Sequence, residues 1–366
     1  MKRVGRLFEK VISESNLYKA ITEVNKTHRW NHYPDKPNKT VLWVEKTKIE
    51  RINELRKIIC DGFVPAPCVV KKRYDHNAQK WRMISEPKLY PDQYVHHALI
   101  QVIQPVLMRG MDRWCCGSIK GRGAHYGIRA IRKWMKNDRN GTRWCAEVDI
   151  RHFYDSTPKS AVMKRMKCLI KDYRVLDLIG RIISDGIKIG VYCSQWFENT
   201  LLQPLDCIIR KYVKHYIRYM DNFTLFSNRK KDLKKAILEI QKWLSQIGLK
   251  LKDNWQIFRV KNRLPNALGY RFGRNYVLLR KHTLLRFRRC IKRYYVLMDK
   301  NRPISLRFAQ GLLSRFGMLR HCNSGKIYNG IRKHTQRHLK NIVRAYQRKQ
   351  QATWSEYLLK HNAKEG

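Results

Sequence analysis

Two aspartates stand out in a chain that is otherwise short of acidic residues. Asp149 ends the stretch "CAEVD", and Asp221 lies at the turn of "IRYMDNFTLFS", where Asn222 follows it. Carboxylates at the ends of neighbouring strands are the hard oxygen ligands that Mg²⁺ prefers. Two such ions about 4 Å apart stabilise the attacking and leaving oxygens of a phosphoryl transfer. Either aspartate alone is more often a turn or capping residue, and it is the ordered set of motifs around them that favours a metal site.

The composition indicates a polyanionic partner. The 366 residues include 78 Lys and Arg against 28 Asp and Glu, a formal net charge of +50. Such a charge needs a polyanion or heavy screening to offset self-repulsion, and nucleic acid is the first candidate. A membrane surface is a weaker one, because no apolar run is long enough to span a bilayer. Residues 271–350 hold 22 Lys and Arg and one acid, Asp299, which favours a nucleic-acid-binding region over a merely solvated basic face.

The elements that must position the aspartates can be predicted from apolar spacing. Helical spacing recurs over residues 1–60 and 158–185, and strand alternation predicts a β-hairpin over 64–86 with a turn at His76-Asn77. "YIRYMDNFTLFS" predicts two strands joined by a tight Asp-Asn turn. Residues 185–213 predict a loop followed by one long helix. The ten cysteines form no C-x-x-C pair and the N-terminus lacks a signal-peptide core, which favours a cytoplasmic protein with reduced thiols.

The ordered motifs resemble those of reverse transcriptases. "AEVDIRHFYDS" is similar to the first catalytic motif, "IGVYCSQWFENTLLQPLD" to the template- and nucleotide-contacting motif, and "IRYMDNFTLFS" to the Tyr-x-Asp-Asp hairpin. "IGLKLK" and "ALGYRF" resemble the two motifs that follow, and "KWRMISEP" resembles the fingers strand that holds the incoming triphosphate. The agreement extends from about residue 64 to 280. It implies an RNA-directed DNA polymerase with an α+β right-hand fold.

The resemblance also implies a division of the chain into four regions. Residues 1–60 would be an N-terminal helical region and residues 61–145 the fingers. Residues 146–275 would be the palm, an antiparallel sheet with packed helices that carries the catalytic motifs. Residues 276–366 would be a basic helical thumb with a C-terminal tail.

Residue roles follow from the same resemblance. Asp149 and Asp221 would bind two Mg²⁺ ions, with Mn²⁺ as the alternative, and the backbone carbonyl of Ile150 would join them. Asn222 stands where the family usually has a second Asp, so the site keeps an oxygen ligand but loses a negative charge. Lower metal affinity is expected, although Asp-Asn turns occur in active viral RNA polymerases. The implied nucleotide-binding residues are Lys80, Arg82, Tyr154, Gly190, Ser194 and Gln195.

Several of these roles have structural alternatives. Tyr154 would be the aromatic gate that excludes a ribose 2′-OH, or else a core aromatic beside a strand. Lys80 and Arg82 would contact the triphosphate, or else form an exposed strand pair. Gln195 could instead satisfy the backbone at a helix N-terminus. Lys250 and Lys252 are alternative proton donors to pyrophosphate. The basic residues expected to bind nucleic acid are Arg280, Lys281, Arg286, Arg288 and Arg289.

A shorter motif resembles one group within the family. Residues 189–195, "IGVYCSQ", fit the apolar-Gly-x-x-x-Ser-Gln signature of reverse transcriptases from diversity-generating retroelements. This resemblance implies a bacterial or phage-encoded enzyme that copies a template-repeat RNA with errors, mainly at adenines. Its implied partners are dNTPs, an RNA template, an RNA/DNA duplex, a structured noncoding RNA and a basic accessory protein, with no membrane. The alternatives are an antiphage or abortive-infection reverse transcriptase and a catalytically silent RNA-binding protein on the same fold.

Overall fold

The computed structural model describes residues 2–30, 36–75, 79–325, 327, 330–331 and 334–362. Contacts between Cα atoms divide the chain into two compact units. The first unit comprises Met1–Gly123 and Ala146–Ile257, and the second comprises Ala124–Cys145 and Phe258–Gly366. Residues 124–145, which the sequence assigns to the fingers, therefore pack with the C-terminal part of the chain.

The first unit is mostly helical and contains most of an antiparallel sheet. Its helices are α1 (Phe8–Val11), α2 (Glu14–His28), α3 (Lys39–Lys46), α4 (Lys48–Cys60), α5 (Tyr94–Met108), α7 (Phe153–Ser156), α8 (Lys159–Lys167), α9 (Tyr173–Ile182), α10 (Tyr192–Leu201), α11 (Gln203–Arg210) and α12 (Lys230–Gln246). Helix α5 has an apolar face wide enough to lie at the centre of this unit. Its side chains pack against α2, α4 and α10, and residues such as Leu99 and Ile103 are fully buried. Each such side chain contributes about 1.5–3 kcal/mol by leaving water.

The sheet that carries the two aspartates has the strand order β4-β5-β3-β6. Its strands are β3 (Trp144–Asp149), β4 (His215–Tyr219), β5 (Asn222–Ser227) and β6 (Gln256–Arg259). Strands β4 and β5 are antiparallel, with His215 opposite Phe226 and Tyr219 opposite Asn222. Almost every residue of β4 and β5 is buried, as expected for strands covered on both faces. Strand β3 lies beside β5, which places the ends of the two aspartate motifs next to each other.

A separate two-stranded hairpin precedes α5. Strands β1 (Val69–Asp75) and β2 (Lys80–Glu86) pair antiparallel over their full length. The predicted hairpin is confirmed, and its predicted turn at His76-Asn77 lies outside the described residues. Two ion pairs connect the strands: Lys71 and Arg73 of β1 both pair with Glu86 of β2.

The second unit combines a small sheet with four long helices. The strands are β7 (Asn266–Ala267), β8 (Tyr270–Phe272) and β9 (Val277–Leu279), paired in that order, and the helices are α6 (Ala124–Asn137), α13 (Lys281–Asp299), α14 (Leu306–Leu319) and α15 (Thr335–Asn362). Helix α6 buries Ile131 and Trp134 and packs on β8. The rings of Phe287 and Phe316 join α13 to α14 in an edge-to-face contact at 5.2 Å.

Most predicted elements are confirmed, and two differ in detail. Helices combined with antiparallel sheets confirm the α+β class expected of a right-hand polymerase. The turn after β4 is formed by Met220 and Asp221, and Asn222 already begins β5. The long helix expected after the loop is instead two helices, α10 and α11. Pro204 has no N–H to donate to the Thr200 carbonyl, so the helical hydrogen bonding is interrupted there. The Thr200 carbonyl accepts from Arg165 Nε at 3.2 Å instead. Within the described ranges, no helix is both long and apolar enough to cross a membrane.

Candidate active site

The two aspartates meet at one end of the β4-β5-β3 sheet. Asp149 ends β3, and Asp221 occupies the turn between β4 and β5. The backbone joins them directly, since the amide of Ile150 donates to the carbonyl oxygen of Asp221 at 3.2 Å. Burial of the Asp221 carboxyl, and then the negative charge of Asp149, raises the pKa of Asp221. The two carboxylates therefore act on each other electrostatically, as two ligands of one metal site would.

The turn that carries Asp221 is tightly constrained. Met220 has a φ of +55°, a left-handed conformation that costs a non-glycine residue energy. A Cβ added to Gly117 would lie 2.8 Å from both the backbone and the side chain of Met220, so only glycine fits beneath the turn. The amide Nδ2 of Asn222 donates to Asp221 Oδ1 at 3.0 Å. Asn222 thus orients the Asp221 carboxylate without adding a like charge beside it.

Lys252 is the cation nearest to the Asp149 carboxylate. An isolated antiparallel bridge pairs Ile150 with Leu251, and the Lys252 amide donates to the Asp149 carbonyl at 2.9 Å. Its Nζ lies 2.7 Å from Asp149 Oδ1. Of the two lysines predicted as proton donors, Lys252 is therefore beside the carboxylates, whereas the Lys250 side chain is exposed and its carbonyl accepts from Arg151.

The carboxylate pair suits a divalent ion that takes the rest of its ligands from water and phosphate. In the described part of the chain, no group of three or more His, Cys, Asp or Glu side chains converges to hold a metal. Carboxylate oxygens are hard ligands of the kind that Mg²⁺ and Mn²⁺ accept.

A buried arginine beneath the turn is a functional residue that the sequence analysis missed. Arg218 in β4 is fully buried. Its Nε and Nη2 donate to the two carboxylate oxygens of Asp206, each at 2.7 Å, and its Nη1 donates to Asn199 Oδ1 at 2.9 Å and to the Met220 carbonyl at 3.4 Å. This network ties the catalytic turn to α10 and α11. A charged residue inside an otherwise apolar strand was the only signal in the sequence.

Tyr154 lies near the carboxyl group of Asp221. It is half-buried in α7, directly after the chain leaves β3. Burial raises the pKa of Tyr154, and so do the nearby carboxyl groups of Glu198 and Asp221, whereas Arg82 acts in the opposite direction. The phenol is therefore near the end of the sheet that carries Asp221, and its role as a gate against the sugar stays a prediction. Glu198 was not among the residues predicted from the sequence.

The predicted nucleotide-binding residues of the Gly-x-x-x-Ser-Gln motif have clear structural neighbours. Gly190 has a φ of +109°, and a Cβ there would lie 2.4 Å from the carbonyl oxygen of Ser85. The close approach that requires glycine is thus made to β2; its approach to a substrate stays a prediction. Ser194 is buried, and its Oγ accepts from the Lys188 amide at 3.3 Å. Gln195 is half-buried in the first turn of α10.

The hairpin residues predicted to hold the triphosphate lie on one face of β2. Lys80 and Arg82 are two positions apart, so their side chains point the same way. Lys80 is exposed. Arg82 Nε lies 2.7 Å from Asp75 Oδ2, so an anion that binds Arg82 would compete with this half-exposed ion pair. The Ser85 amide donates to the Ile189 carbonyl at 2.7 Å, which joins the hairpin to the loop before α10.

The predicted nucleic-acid-binding residues of the second unit differ in exposure. Lys281, Arg288 and Arg289 are exposed on α13. Arg286 is half-buried on the same helix. Arg280 is half-buried, and its Nε donates to Asn266 Oδ1 at 2.6 Å. Exposed guanidinium and ammonium groups are the ones that can reach phosphates without losing an existing partner.

Residues 70–272 match the family model described as "Reverse transcriptase (RNA-dependent DNA polymerase)". This span is more than half of the chain and contains Lys80, Arg82, Asp149, Tyr154 and Asp221. No curated protein sequence matches the chain.

Solved telomerase structures are similar to the chain at low sequence identity. Apo telomerase from Candida tropicalis, truncated from its C-terminal domain, is 14% identical with a TM-score of 0.46, over 64% of this chain and 60% of that chain. Candida albicans telomerase with a TWJ fragment of telomeric RNA is 12% identical with a TM-score of 0.44, over 66% and 50%. A further apo telomerase from Candida tropicalis is 11% identical with a TM-score of 0.43, over 73% and 65%. The chain spans less than two thirds of each of these telomerases.

Proposed function

The chain belongs to the reverse transcriptase family of RNA-dependent DNA polymerases, which are nucleotidyltransferases, and from this premise we propose that it extends DNA on an RNA template at the Asp149–Asp221 site. The observation that carries the proposal is the meeting of two carboxylates from distant motifs, joined by the Ile150–Asp221 hydrogen bond. Tyr154 and Lys252 lie beside them. Two aspartates with a purely structural role would not require a tyrosine and a lysine beside them.

Each residue has a definite task in the proposed reaction. Asp149 and Asp221 hold Mg²⁺, with Mn²⁺ as the alternative, and the Ile150 carbonyl is the proposed third ligand. When bound, the ions supply electrostatic stabilisation to the oxygens of the phosphoryl group in transfer. Lys252 holds a proton beside the carboxylates and donates it to the departing pyrophosphate. Lys80 and Arg82 bind the triphosphate by charge-assisted hydrogen bonds.

The remaining motifs and the basic residues bind template, primer and nucleotide. Tyr154 blocks the 2′-OH of a ribonucleotide, and Gly190, Ser194 and Gln195 border the nascent base pair. Lys281, Arg286, Arg288 and Arg289 on α13, with Arg280 just before it, contact phosphates of the RNA/DNA duplex. Phosphate contacts give affinity without sequence preference, which suits an enzyme that must move along its template.

Primer extension tests the polymerase. Wild-type protein with Mg²⁺ or Mn²⁺, an RNA template and a DNA primer should incorporate dNTPs. Asp221→Ala and Asp149→Ala should each lower the rate by at least about 100-fold, because they remove metal ligands and not only outer contacts. The matched control is Asp253→Ala, which removes an exposed carboxylate paired with Arg151. Equal activity in all four proteins would refute the proposed site.

The alternative of a silent RNA-binding protein is favoured by one observation, the Asn in place of a second Asp at position 222. In that case wild-type protein should bind RNA with a steep salt dependence but make no DNA under any metal condition. Asp149→Ala should then bind RNA as well as wild type does.

We also propose a narrower role, as the reverse transcriptase of a diversity-generating retroelement. The Ile189-to-Gln195 motif supports this role. The enzyme would be cytoplasmic, bacterial or phage-encoded, and would copy a structured template RNA with errors at adenines, aided by a basic accessory protein. Sequencing the cDNA made from RNA that co-purifies with the protein tests this role. Errors restricted to adenines of a template repeat would support it, and faithful or untemplated cDNA would favour the antiphage alternative.

A further inference from the structure

One face of the β1–β2 hairpin carries side chains that the proposed reaction does not use. The register places Tyr74 directly opposite Trp81, and residues opposite each other on paired strands point to the same face. Lys80 and Arg82, the proposed triphosphate ligands, occupy the alternate positions of β2 and therefore point to the other face. We term the face without them the outer face of the hairpin. Its exposed members are Val70, Lys72, Tyr74, Trp81 and Met83.

The outer face is apolar and aromatic, yet it is open to solvent. Trp81 is 59% exposed and Met83 is 58% exposed. Val70 and Tyr74 on the neighbouring strand are exposed as well. A contiguous group of large exposed apolar side chains is typical of a surface that binds a partner.

The two rings and a lysine of the outer face form an ordered cluster. The ring centroids of Tyr74 and Trp81 are 5.2 Å apart in an edge-to-face arrangement. The Nζ of Lys72 lies over the Trp81 ring, 5.3 Å from its centroid. Because these side chains already hold one another in place, they lose less rotamer freedom when a partner binds. An ordered aromatic pair beside a cation suits a partner that has flat rings and negative charge.

The distribution of charge favours a nucleic acid as this partner. Both acidic residues of the described strands, Asp75 and Glu86, point to the opposite face, where basic side chains pair with them. The outer face therefore has the positive charge of Lys72 and no carboxylate of its own hairpin to repel a phosphate. Exposed aromatic rings stack on unpaired bases. Bases inside a duplex are already stacked on each other, so a single strand fits this face better.

We propose that the outer face of the hairpin binds a segment of unpaired RNA, with bases stacked on Trp81 and Tyr74 and a phosphate held by Lys72. The choice of RNA rests on the proposed function, whereas the stacking itself needs no catalysis. The face that carries Lys80 and Arg82 is on the other side of the same hairpin. A base on the outer face is therefore not the one that pairs with the incoming nucleotide, and the surface retains RNA beside the copying site.

RNA binding at raised salt tests the inference, because salt weakens the phosphate contacts of the many other basic residues. Wild type should bind a labelled single-stranded RNA, measured by fluorescence anisotropy. Trp81→Leu keeps an apolar side chain without a ring and should weaken binding about tenfold, as the loss of one base stack does. Trp81→Phe keeps a ring and should stay within about threefold of wild type. The matched control is Tyr173→Ala, which removes an exposed ring of α9 and should leave the affinity unchanged.

Ultraviolet crosslinking of the wild-type protein locates the bound RNA independently of any variant. Single-stranded RNA should crosslink to the peptides that contain Trp81 and Tyr74, and the same sequence in a duplex should not. Absence of these crosslinks would overturn the inference even if Trp81→Leu folds poorly. Equal RNA affinity of Trp81→Leu and wild type would also overturn it, as would a dimer in sedimentation that Trp81→Leu abolishes, because a second copy would then cover this face. Failure of wild type to extend a primer would instead overturn the proposed function and leave the stacking result as measured.

Discussion

At the scale of single residues, the Asp221 carboxyl is controlled by its neighbours. Asn222 donates a hydrogen bond to it, whereas burial and the charge of Asp149 raise its pKa. An amide at position 222 therefore stabilises the ionised form of Asp221 that a second aspartate would disfavour. The cost is one fewer negative ligand for a divalent ion.

Asn222→Asp should strengthen metal binding. A third carboxylate raises the negative charge of the site, and ligand charge is one of the features that tune affinity for divalent ions. The Mg²⁺ concentration for half-maximal primer extension should fall about three- to tenfold on this basis. A titration of rate against Mg²⁺ measures the change. Asn228→Asp, the same charge change in an exposed residue just after β5, should leave the Mg²⁺ requirement as it is.

At the scale of elements, a buried ion pair holds the hairpin of β4 and β5, which carries Asp221, on helix α11. Arg218 in β4 and Asp206 in α11 are both almost completely buried, and Asn199 in α10 shares the guanidinium. Burial disfavours the charged form of Arg218, but the Asp206 carboxylate outweighs it and raises the pKa of Arg218. The arginine thus stays charged under the turn that carries Asp221.

Asp206→Leu should destabilise the fold strongly, because it leaves the Arg218 charge buried and unpaired. The expected loss in free energy of unfolding is about 3–5 kcal/mol. The double variant Asp206→Leu with Arg218→Met should recover a large part of that loss, since it removes both charges. Denaturant unfolding of wild type, the two single variants Asp206→Leu and Arg218→Met, and the double variant measures the coupling. Additive losses in the double variant would mean that the two side chains do not act as a pair.

A second link between elements depends on pH. The Asp172 carboxylate caps α9 by accepting from the Arg174 amide, and one of its oxygens also accepts from the Leu7 and Phe8 amides at 2.8 and 2.9 Å. Burial raises the pKa of Asp172, but these backbone hydrogen bonds outweigh it and leave the pKa lowered. Its stabilising contribution is therefore present above the pKa of the unfolded chain and is lost as pH falls through the lower folded-state pKa.

Asp172→Ala should cost about 2–3 kcal/mol at pH 7, the sum of a helix cap and charge-assisted hydrogen bonds. The difference from wild type should begin to shrink below about pH 4, where the carboxyl of the unfolded chain takes up a proton, and should shrink further as pH falls through the lower folded-state pKa. Thermal unfolding between pH 7 and pH 3 measures both values. Asp177→Ala removes an exposed carboxylate that is paired with Arg181, and we expect a change within about 0.5 kcal/mol. A pH-independent loss in Asp172→Ala would contradict the assignment.

At the scale of the whole molecule, we expect the net charge of +50 to govern the proposed binding of nucleic acid. Exposed basic groups that release counterions on binding make affinity depend on salt. Arg288 and Arg289 are exposed on α13, whereas Arg280 is already hydrogen-bonded to Asn266. The second unit therefore contains both residues that can reach phosphates freely and residues that maintain its own fold.

Arg288→Gln with Arg289→Gln should weaken binding to an RNA/DNA duplex and flatten its salt dependence. Each lost phosphate contact lowers the magnitude of the slope of log K against log salt by about 0.7–0.9. We therefore expect the double variant to lower this magnitude by about 1.5. Fluorescence anisotropy between 50 and 300 mM salt, about the range over which such slopes are measured, gives both quantities. Arg280→Gln should lower the stability of the second unit, because it removes the hydrogen bond to Asn266, and should leave the slope of log K against log salt nearly unchanged. An unchanged slope in the double variant would exclude these arginines from the interface.

The sequence by itself determined the features that depend on local pattern. The helical and strand periods predicted the individual helices and strands. The ordered motifs predicted Asp149 and Asp221 and, through their resemblance to those of reverse transcriptases, the class of fold. The charge predicted a polyanionic partner. These features are readable because each depends on residues a few positions apart, or on composition, and such information survives without knowledge of the fold.

Only the tertiary structure decided which distant residues support the site. The ion pair of Arg218 with Asp206 and the approach of Gly190 to Ser85 join different elements. The packing of residues 124–145 with the C-terminal part of the chain is of the same kind. A buried arginine needs a charged or hydrogen-bonding partner, whereas an exposed one can be solvated by water. Burial depends on how distant parts of the chain pack together, and no local sequence period encodes that packing.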